Sequence, residues 1–386
     1  MKKILLLIVV ITTIIMALFF IRDNKSYNEI KGCLSNQNNC NFKIRTSPKL
    51  QKILNNLKYP DQFVKPNDLS KIVVINFAGG LGDEFAALRM KTAAENLGWE
   101  PVIIGWADKA PSLNAKMIQF LKPEFVISQY PLGIAEGVPN YLILHSPPNN
   151  TNDFNDKYLN YDGLLLSFGD DRFIKPLQDF FALNNKTLNY QYFYFSVSKK
   201  QSKFRELDYF KLFYSGDRWD KRRGEDYSKL YKLMDQAGYF TVYGPENSWK
   251  DYPNSYKGFL PFEESTYLEA IRNSGVSLVV HSKGHYNNNF PSGRIFEALA
   301  SSTIIISDDM KFVKDNFSNN ILYIDPSLPP EKLFLQIDNH MQWIKSNPLK
   351  AKEMAKNANK IFQEKFVLEN LLLNVEKMHN KIKSTK

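Results

Sequence analysis

Cysteine is almost missing from this chain. Only Cys33 and Cys40 occur in 386 residues. A disulfide-stapled scaffold and a cysteine-ligated metal cluster are thereby excluded. The pair lies in an Asn-rich polar stretch with no histidine nearby. It reads either as a small disulfide loop in an oxidising compartment or as two free thiols. Long hydrophobic runs are equally scarce, which excludes a polytopic membrane protein. Blocks of Lys and Arg that mark a basic tail are absent, although the net charge is +10 and the pI about 9.2. That balance favours an anionic partner such as a membrane surface or a phosphorylated substrate. Nucleic acid is not expected. No G-x-S-x-G elbow, no G-x-G-x-x-G and no P-loop occurs, so a serine hydrolase and the common dinucleotide and NTP sites are not indicated.

What is present is an ordinary globular balance, 44% hydrophobic and 23% charged, on a length that suits two domains. The one long apolar run, Ile4–Ile21, makes a helix of about 27 Å, enough to cross a bilayer. No small-residue cleavage site follows it, so it reads as an uncleaved single-pass anchor rather than a signal peptide. Its flanking charges nearly balance and leave the orientation open. The rest of the chain would then lie on the cytoplasmic face in a bacterium or in the Golgi lumen of a eukaryote. Residues 22 to about 68 are polar, without sustained periodicity, and read as a stem.

From Lys71 the pattern changes to short β-branched runs alternating with helical stretches. Lys71–Phe77 reads as a strand, followed by Gly79-Gly80-Leu81-Gly82-Asp83 and a helix to Leu97. A second series begins at Phe210–Ser215 and ends in a Lys-rich helical tail from Pro330. This alternation predicts an α/β fold of two doubly wound, Rossmann-like domains facing a cleft. The expected division is anchor 1–25, stem 26–68, first domain 69–205 and second domain 206–386. Ligands of such sheets bind beyond the carboxyl ends of the strands.

Three segments offer chemistry at those ends. In the first, Gly80 and Gly82 let backbone approach a ligand at a helix N-terminus, with Asp83 facing the cleft as a base or hydroxyl acceptor. The alternative is a tight turn with Asp83 as N-cap. In the second, Ser215 and Gly216 precede four cations in six residues. Arg218 and Lys221, nearest the strand end, are the expected diphosphate ligands, unless the loop is merely a solvated basic surface. The third runs from His281 through Pro291-Ser292-Gly293 into a helix. Arg294 places a cation in the first turn, against the helix dipole, which suggests a neighbouring anion. Glu297, one turn in, suits the two hydroxyls of a ribose. The alternative pairs Arg294 with Glu297 on the surface. His145 follows a first-domain strand and is a candidate cleft histidine, while His340 and His379 read as solvated.

The stretch from about Phe210 to Asp309 resembles the nucleotide-binding half of GT-B glycosyltransferases of the glycosyltransferase-family-1-like group. The segment PSGRIFEALASSTIIISD, Pro291–Asp308, carries the likeness. The resemblance implies a membrane-anchored glycosyltransferase that moves a sugar from a nucleotide-diphospho-sugar, its co-substrate, to a glycan or lipid-linked acceptor. It implies no cofactor and no metal. Arg218, Lys221, His281, Ser292, Gly293 and Arg294 would hold the donor, with Glu297 on its ribose and the loop around Gly258–Phe262 at its base. Asp83 or His145 would face the acceptor. Many retaining members carry a glutamate eight positions before the ribose glutamate. Here that position is Asn289, so retention is in doubt. An exported sugar- or nucleotide-binding protein without catalysis is the other reading of the same plan.

Overall fold

The computed structural model describes residues 42–56, 65, 71–78, 80–106, 111–131, 134–145, 154–169, 171–208 and 210–385. The anticipated anchor at 4–21, Cys33, Cys40 and Gly79 lie outside them. Among the described residues no helix is long and apolar enough to cross a membrane.

Two sheets carry the fold. The first contains β1 (Phe42–Arg45), β2 (Ile72–Ala78), β3 (Glu100–Trp106), β4 (Phe125–Ser128), β5 (Asn140–Leu144), β6 (Gly163–Leu166) and β7 (Tyr190–Tyr192), in the order β1-β3-β2-β4-β5-β6-β7. All neighbours are parallel except β1, which runs antiparallel to β3 with Ile44 opposite Ile104. The second contains β8 (Lys211–Ser215), β9 (Phe240–Tyr243), β10 (Gly275–Val279), β11 (Ile304–Asp308) and β12 (Leu322–Ile324), ordered β12-β11-β10-β8-β9 and wholly parallel.

Helices cover both faces. They are α1 (Pro48–Asn56), α2 (Leu81–Asn96), α3 (Pro111–Leu121), α4 (Ile174–Leu183), α5 (Ser228–Gln236), α6 (Glu264–Arg272), α7 (Gly293–Ala300), α8 (Lys311–Phe317), α9 (Pro330–Ser346), α10 (Pro348–Lys365) and α11 (Leu368–Thr385). Strands buried on both faces need continuous apolar runs. This is why Ile72–Phe77 and Gly275–Val279, both buried throughout and mostly apolar, are readable in the sequence.

Two expectations are corrected here. Residues 42–56 are not free stem. Phe42–Arg45 extends the first sheet, and Leu50 and Leu54 of α1 are buried against Val74, Val102 and Ile104. Nor is the tail wholly a part of the second domain. Helix α11 returns to the first sheet, where His379 is buried. Its Nδ1 and Tyr141 Oη share a 2.9 Å hydrogen bond, and its Nε2 lies 3.2 Å from Glu124 Oε1. His379 is therefore an anchor between layers rather than a solvated side chain. His340 is half-buried, and its Nε2 donates to Tyr323 O at 2.8 Å.

In the first sheet the strand order reverses at β2, between β3 and β4. In the second it reverses at β8, between β9 and β10. Both reversals open a crevice at the carboxyl ends of the strands, and the two crevices face each other.

Candidate active site

A cleft of about 800 Å³ lies between the sheets and is lined from both. Its floor is set by chain geometry. β8 ends at Ser215, and Gly216 turns away with φ at 142°, where a side chain is strained. A Cβ there would also lie 3.1 Å from Arg294 Nη1. Glycine thus lets the Arg294 guanidinium lie over the strand end.

Arg294 is the central cation. Its Nη1 donates to Tyr214 Oη at 2.9 Å and to Ser215 O at 3.3 Å, and its Nη2 to Val280 O at 3.0 Å. These acceptors are neutral, and among the described residues no carboxylate pairs with it. The charge is oriented without being neutralised. Ser292, the N-cap of α7, makes no capping bond, and its Oγ is buried without a partner. Together with Gly293 it presents the helix N-terminus to the cleft. Ser215 lines the same wall, its Oγ sharing a hydrogen bond with Tyr267 Oη.

The other cations sort differently from expectation. Arg218 does not line the cleft. Its Nη1 donates to Ser248 O, and its Nη2 donates to Gly224 O and Ser228 Oγ, between 2.7 and 3.1 Å. Its Cζ lies 5.3–5.7 Å from the ring centres of Tyr231, Trp249 and Tyr252. It is a structural cation of the second core. Lys221 is exposed and also outside the cleft. A π-helical turn, Arg222–Asp226, rotates the basic run so that Arg223 reaches the cleft instead, braced by Asp220 and stacked near Trp219.

His281 is corrected as well. It is fully buried, with its backbone N donating to Asp308 Oδ2 and its Nδ1 on Asp308 Oδ1, each at 2.8 Å. It ties the end of β10 to the end of β11 and does not line the cleft. Burial alone would raise the Asp308 carboxyl, but His281 and Arg222 beside it hold it below its usual value. His285 does line the cleft. Burial, with His281, Arg294 and Arg223 nearby, pushes its pKa down to about 3.

On the opposite wall, α2 begins at Gly80, which is an exposed N-cap with ordinary extended backbone and lies off the cleft. Gly82 lines the cleft, and Asp83 is the third helical residue rather than the cap. Tyr130 Oη donates to both Asp83 oxygens, at 3.2 and 3.3 Å. Burial raises the Asp83 carboxyl above its usual value, opposed by His145. His145 is sandwiched between Tyr130 and Phe195, with ring centres 4.8 and 5.0 Å away. Its Nε2 donates to Gln129 O, which leaves the lone pair on Nδ1. Burial holds the imidazole below its ordinary pKa, hence neutral at neutral pH. The site thus gathers a half-buried carboxylate and a neutral imidazole on one wall and an oriented cation on the other.

Glu297 also faces the cleft but does not pair with Arg294. Its Oε1 accepts from Arg89 Nη1 at 2.8 Å, across the two sheets. Phe262, from the loop expected to seat a nucleobase, packs edge-on to Phe85 at 5.4 Å within the lining. Sequence reasoning did not single out Arg89, Arg223, Trp219 or Tyr130. The available signal for Arg89 was an arginine inside the apolar stretch of α2. Among the described residues, no group of three or more His, Cys, Asp or Glu is gathered as a metal site.

Residues 206–375 match the family described as Glycosyl transferase-like. This stretch of the chain is similar to that family. The complete two-sheet architecture resembles a glycosyltransferase from Rickettsia africae, with 13% identity and a TM-score of 0.55, over 82% of this chain and 100% of that one. It also resembles sucrose-phosphate synthase from Thermosynechococcus elongatus, with 13% identity and a TM-score of 0.51, over 81% and 100%. A structure described as trehalose-6-phosphate from E. coli bound with UDP-2-fluoro glucose matches at 11% identity and a TM-score of 0.51, over 80% and 99%. The match to TarM spans 58% of the TarM chain, with 13% identity and a TM-score of 0.50. No curated protein sequence matches. The family match thus covers the second sheet and its helices, and the two-sheet fold is shared with these neighbours.

Proposed function

We propose that the chain moves a sugar from a nucleotide-diphospho-sugar to a hydroxyl of a glycan or lipid-linked acceptor, without a metal ion. The observation that carries this reading is the oriented, carboxylate-free Arg294 beside the uncapped N-terminus of α7, with Glu297 one turn away in the same cleft. A leaving diphosphate needs fixed positive charge that requires no reorganisation during the reaction. Arg294, Arg223 and the helix N-terminus at Gly293 supply it, and the unpartnered Ser292 Oγ adds a hydrogen-bond donor. Glu297 takes the ribose hydroxyls, and Phe262 with Phe85 the base. The E. coli neighbour's bound UDP-2-fluoro glucose is a ligand of this class.

On the other wall, His145 Nδ1 or Asp83 takes the proton of the acceptor hydroxyl as its oxygen bonds to the anomeric carbon. The bond from that carbon to the diphosphate oxygen breaks, and its electrons leave with the nucleoside diphosphate. This is the inverting course. It is favoured because Asn289 holds the position where a retaining enzyme would place a second carboxylate. The apolar run at 4–21 is proposed to anchor the enzyme in a membrane.

The test is release of nucleoside diphosphate from a panel of common nucleotide-sugars by the full chain in detergent, with and without EDTA. Release from one donor, unchanged by EDTA and abolished in Arg294→Ala with Glu297→Ala, is the expected result. Wild-type turnover by that double variant would sink the assignment. Binding without release, with every acceptor class supplied, would mark a non-catalytic binder.

A further inference from the structure

The reaction as described leaves one buried cation of the cleft without a task. Arg89 projects from α2 of the first layer and is only 5% exposed. Its Nη1 donates to Glu297 Oε1 at 2.8 Å, and its Nε lies 3.4 Å from Glu264 Oε1, an ionic contact too long to count as a good hydrogen bond. Both carboxylates belong to the second layer. The Cζ of Arg89 rests 4.0 Å from the centre of the Phe85 ring. Arg89 Nε, Arg89 Nη2 and Glu264 Oε1 are all buried without hydrogen-bond partners. The guanidinium is thus held in one plane while two of its donor nitrogens stay unbonded.

We infer that Arg89 is a positioning residue for donor binding: it reaches across the cleft to fix the Glu297 carboxylate, so that the ribose site is complete only when both layers are together. The inference rests on Glu297 as the ribose ligand. A carboxylate has about four lone-pair sites. Arg89 occupies one on Oε1, which leaves Oε2 and the rest of Oε1 for two vicinal hydroxyls. Without the guanidinium, Glu297 and Glu264 would share the interface as two buried carboxylates with no cation between them. Like charges so placed repel, and the Glu297 side chain would turn away or take up a proton. Either change removes the acceptor pair that a ribose needs.

The experiment titrates the full chain in detergent with UDP, GDP and ADP, and then titrates the one that binds against its 2′,3′-dideoxy counterpart. Wild type should prefer the ribose form by about tenfold or more, the scale of hydrogen bonds to a charged acceptor. Arg89→Met should reduce that preference to about twofold while leaving the dideoxy affinity unchanged. Arg89→Lys keeps the charge without the fork and should fall between. If Arg89→Met does not fold, Arg89→Met combined with Glu264→Gln removes the excess carboxylate and should show the same loss. Retention of the full preference in these variants overturns the inference. So does an equal loss for both ligands, which marks a merely structural role. If Glu297→Gln abolishes the preference and Arg89→Met does not, the ribose reading stands and this inference alone falls. If wild type shows no preference, or binds none of the three, the ribose reading falls and takes the inference with it.

Discussion

Asn289 and Gly169 lock the two layers together. Gly169 N donates to Asn289 O at 2.9 Å, and Asn289 Nδ2 donates back to Gly169 O at 2.7 Å. Asn289 Oδ1 also accepts from the backbone N of Phe312, and the residue sits at φ 51°, a region asparagine tolerates. Asn289, at the position where the sequence resemblance leads one to look for a second carboxylate, is here engaged in holding the layers.

Asn289→Ala should therefore destabilise the chain. It leaves Gly169 O and Phe312 N without partners at a buried junction, at a cost of roughly 2–4 kcal/mol. Urea unfolding should show a lower midpoint at unchanged slope. A midpoint equal to wild type would show that the junction contributes nothing.

The three arginine and lysine candidates should separate cleanly. Arg294→Ala should weaken nucleoside diphosphate binding by about tenfold or more, since it removes a charge-assisted contact. Lys221→Ala, exposed and off the cleft, should stay within about twofold. Arg218→Ala should instead lower stability by roughly 2–4 kcal/mol, because it empties an aromatic cage and three hydrogen bonds. Calorimetric titration and thermal unfolding on the same preparations distinguish these outcomes.

The acid limb of the activity profile should lie below the ordinary imidazole value if His145 is the base, and above the ordinary carboxylate value if Asp83 is. His145 is held below 6.5 and Asp83 above 3.8, both by burial first. With His145 as the base, turnover should stay level as the pH falls through 6.5 and drop only at lower pH, as the imidazole takes up its proton. Removing the negative neighbour in Asp83→Asn should move any remaining limb to lower pH, if His145 is the base. A limb centred at 6.5 would mean that neither group acts in this environment.

His285 should make the fold acid-sensitive. Its folded pKa of about 3 lies below the unfolded 6.5, so the unfolded chain binds more protons between those values. Its contribution to stability is complete above 6.5 and is lost as the pH falls toward 3. At about 1.4 kcal/mol per pH unit this reaches several kcal/mol at most. His285→Gln should show a shallower loss of unfolding free energy over that window. Identical slopes in both proteins would assign the acid sensitivity elsewhere.

Much of the architecture was legible because it is local. Buried parallel strands favour runs rich in apolar and β-branched residues, and Ile72–Ala78, Gly275–Val279 and Ile304–Asp308 are such runs, each with one or two polar positions. The Pro291–Glu297 segment places Ser292, Gly293, Arg294 and Glu297 by helix geometry alone, with Glu297 about one turn beyond the helix start. The four-residue β1 carries too little pattern to announce a strand. It becomes one because β3 offers a free edge.

What depends on the path of the chain was not legible. Arg218 and Arg223 stand in one basic run, and only the π-helical turn decides that Arg223 faces the cleft while Arg218 fills a cage. His379 reads as a surface residue of a Lys-rich helix, yet that helix folds back onto Tyr141, 238 residues earlier. Arg89 and Glu297 lie 208 residues apart and meet across the cleft. Sequence alone determined the longer buried strands, the helix N-terminus and the residues one turn from it, because hydrogen bonding and periodicity act over a few positions. Which cation meets which carboxylate was decided by the packing of two layers, since burial makes an unpaired charge too costly to leave where the chain happened to put it.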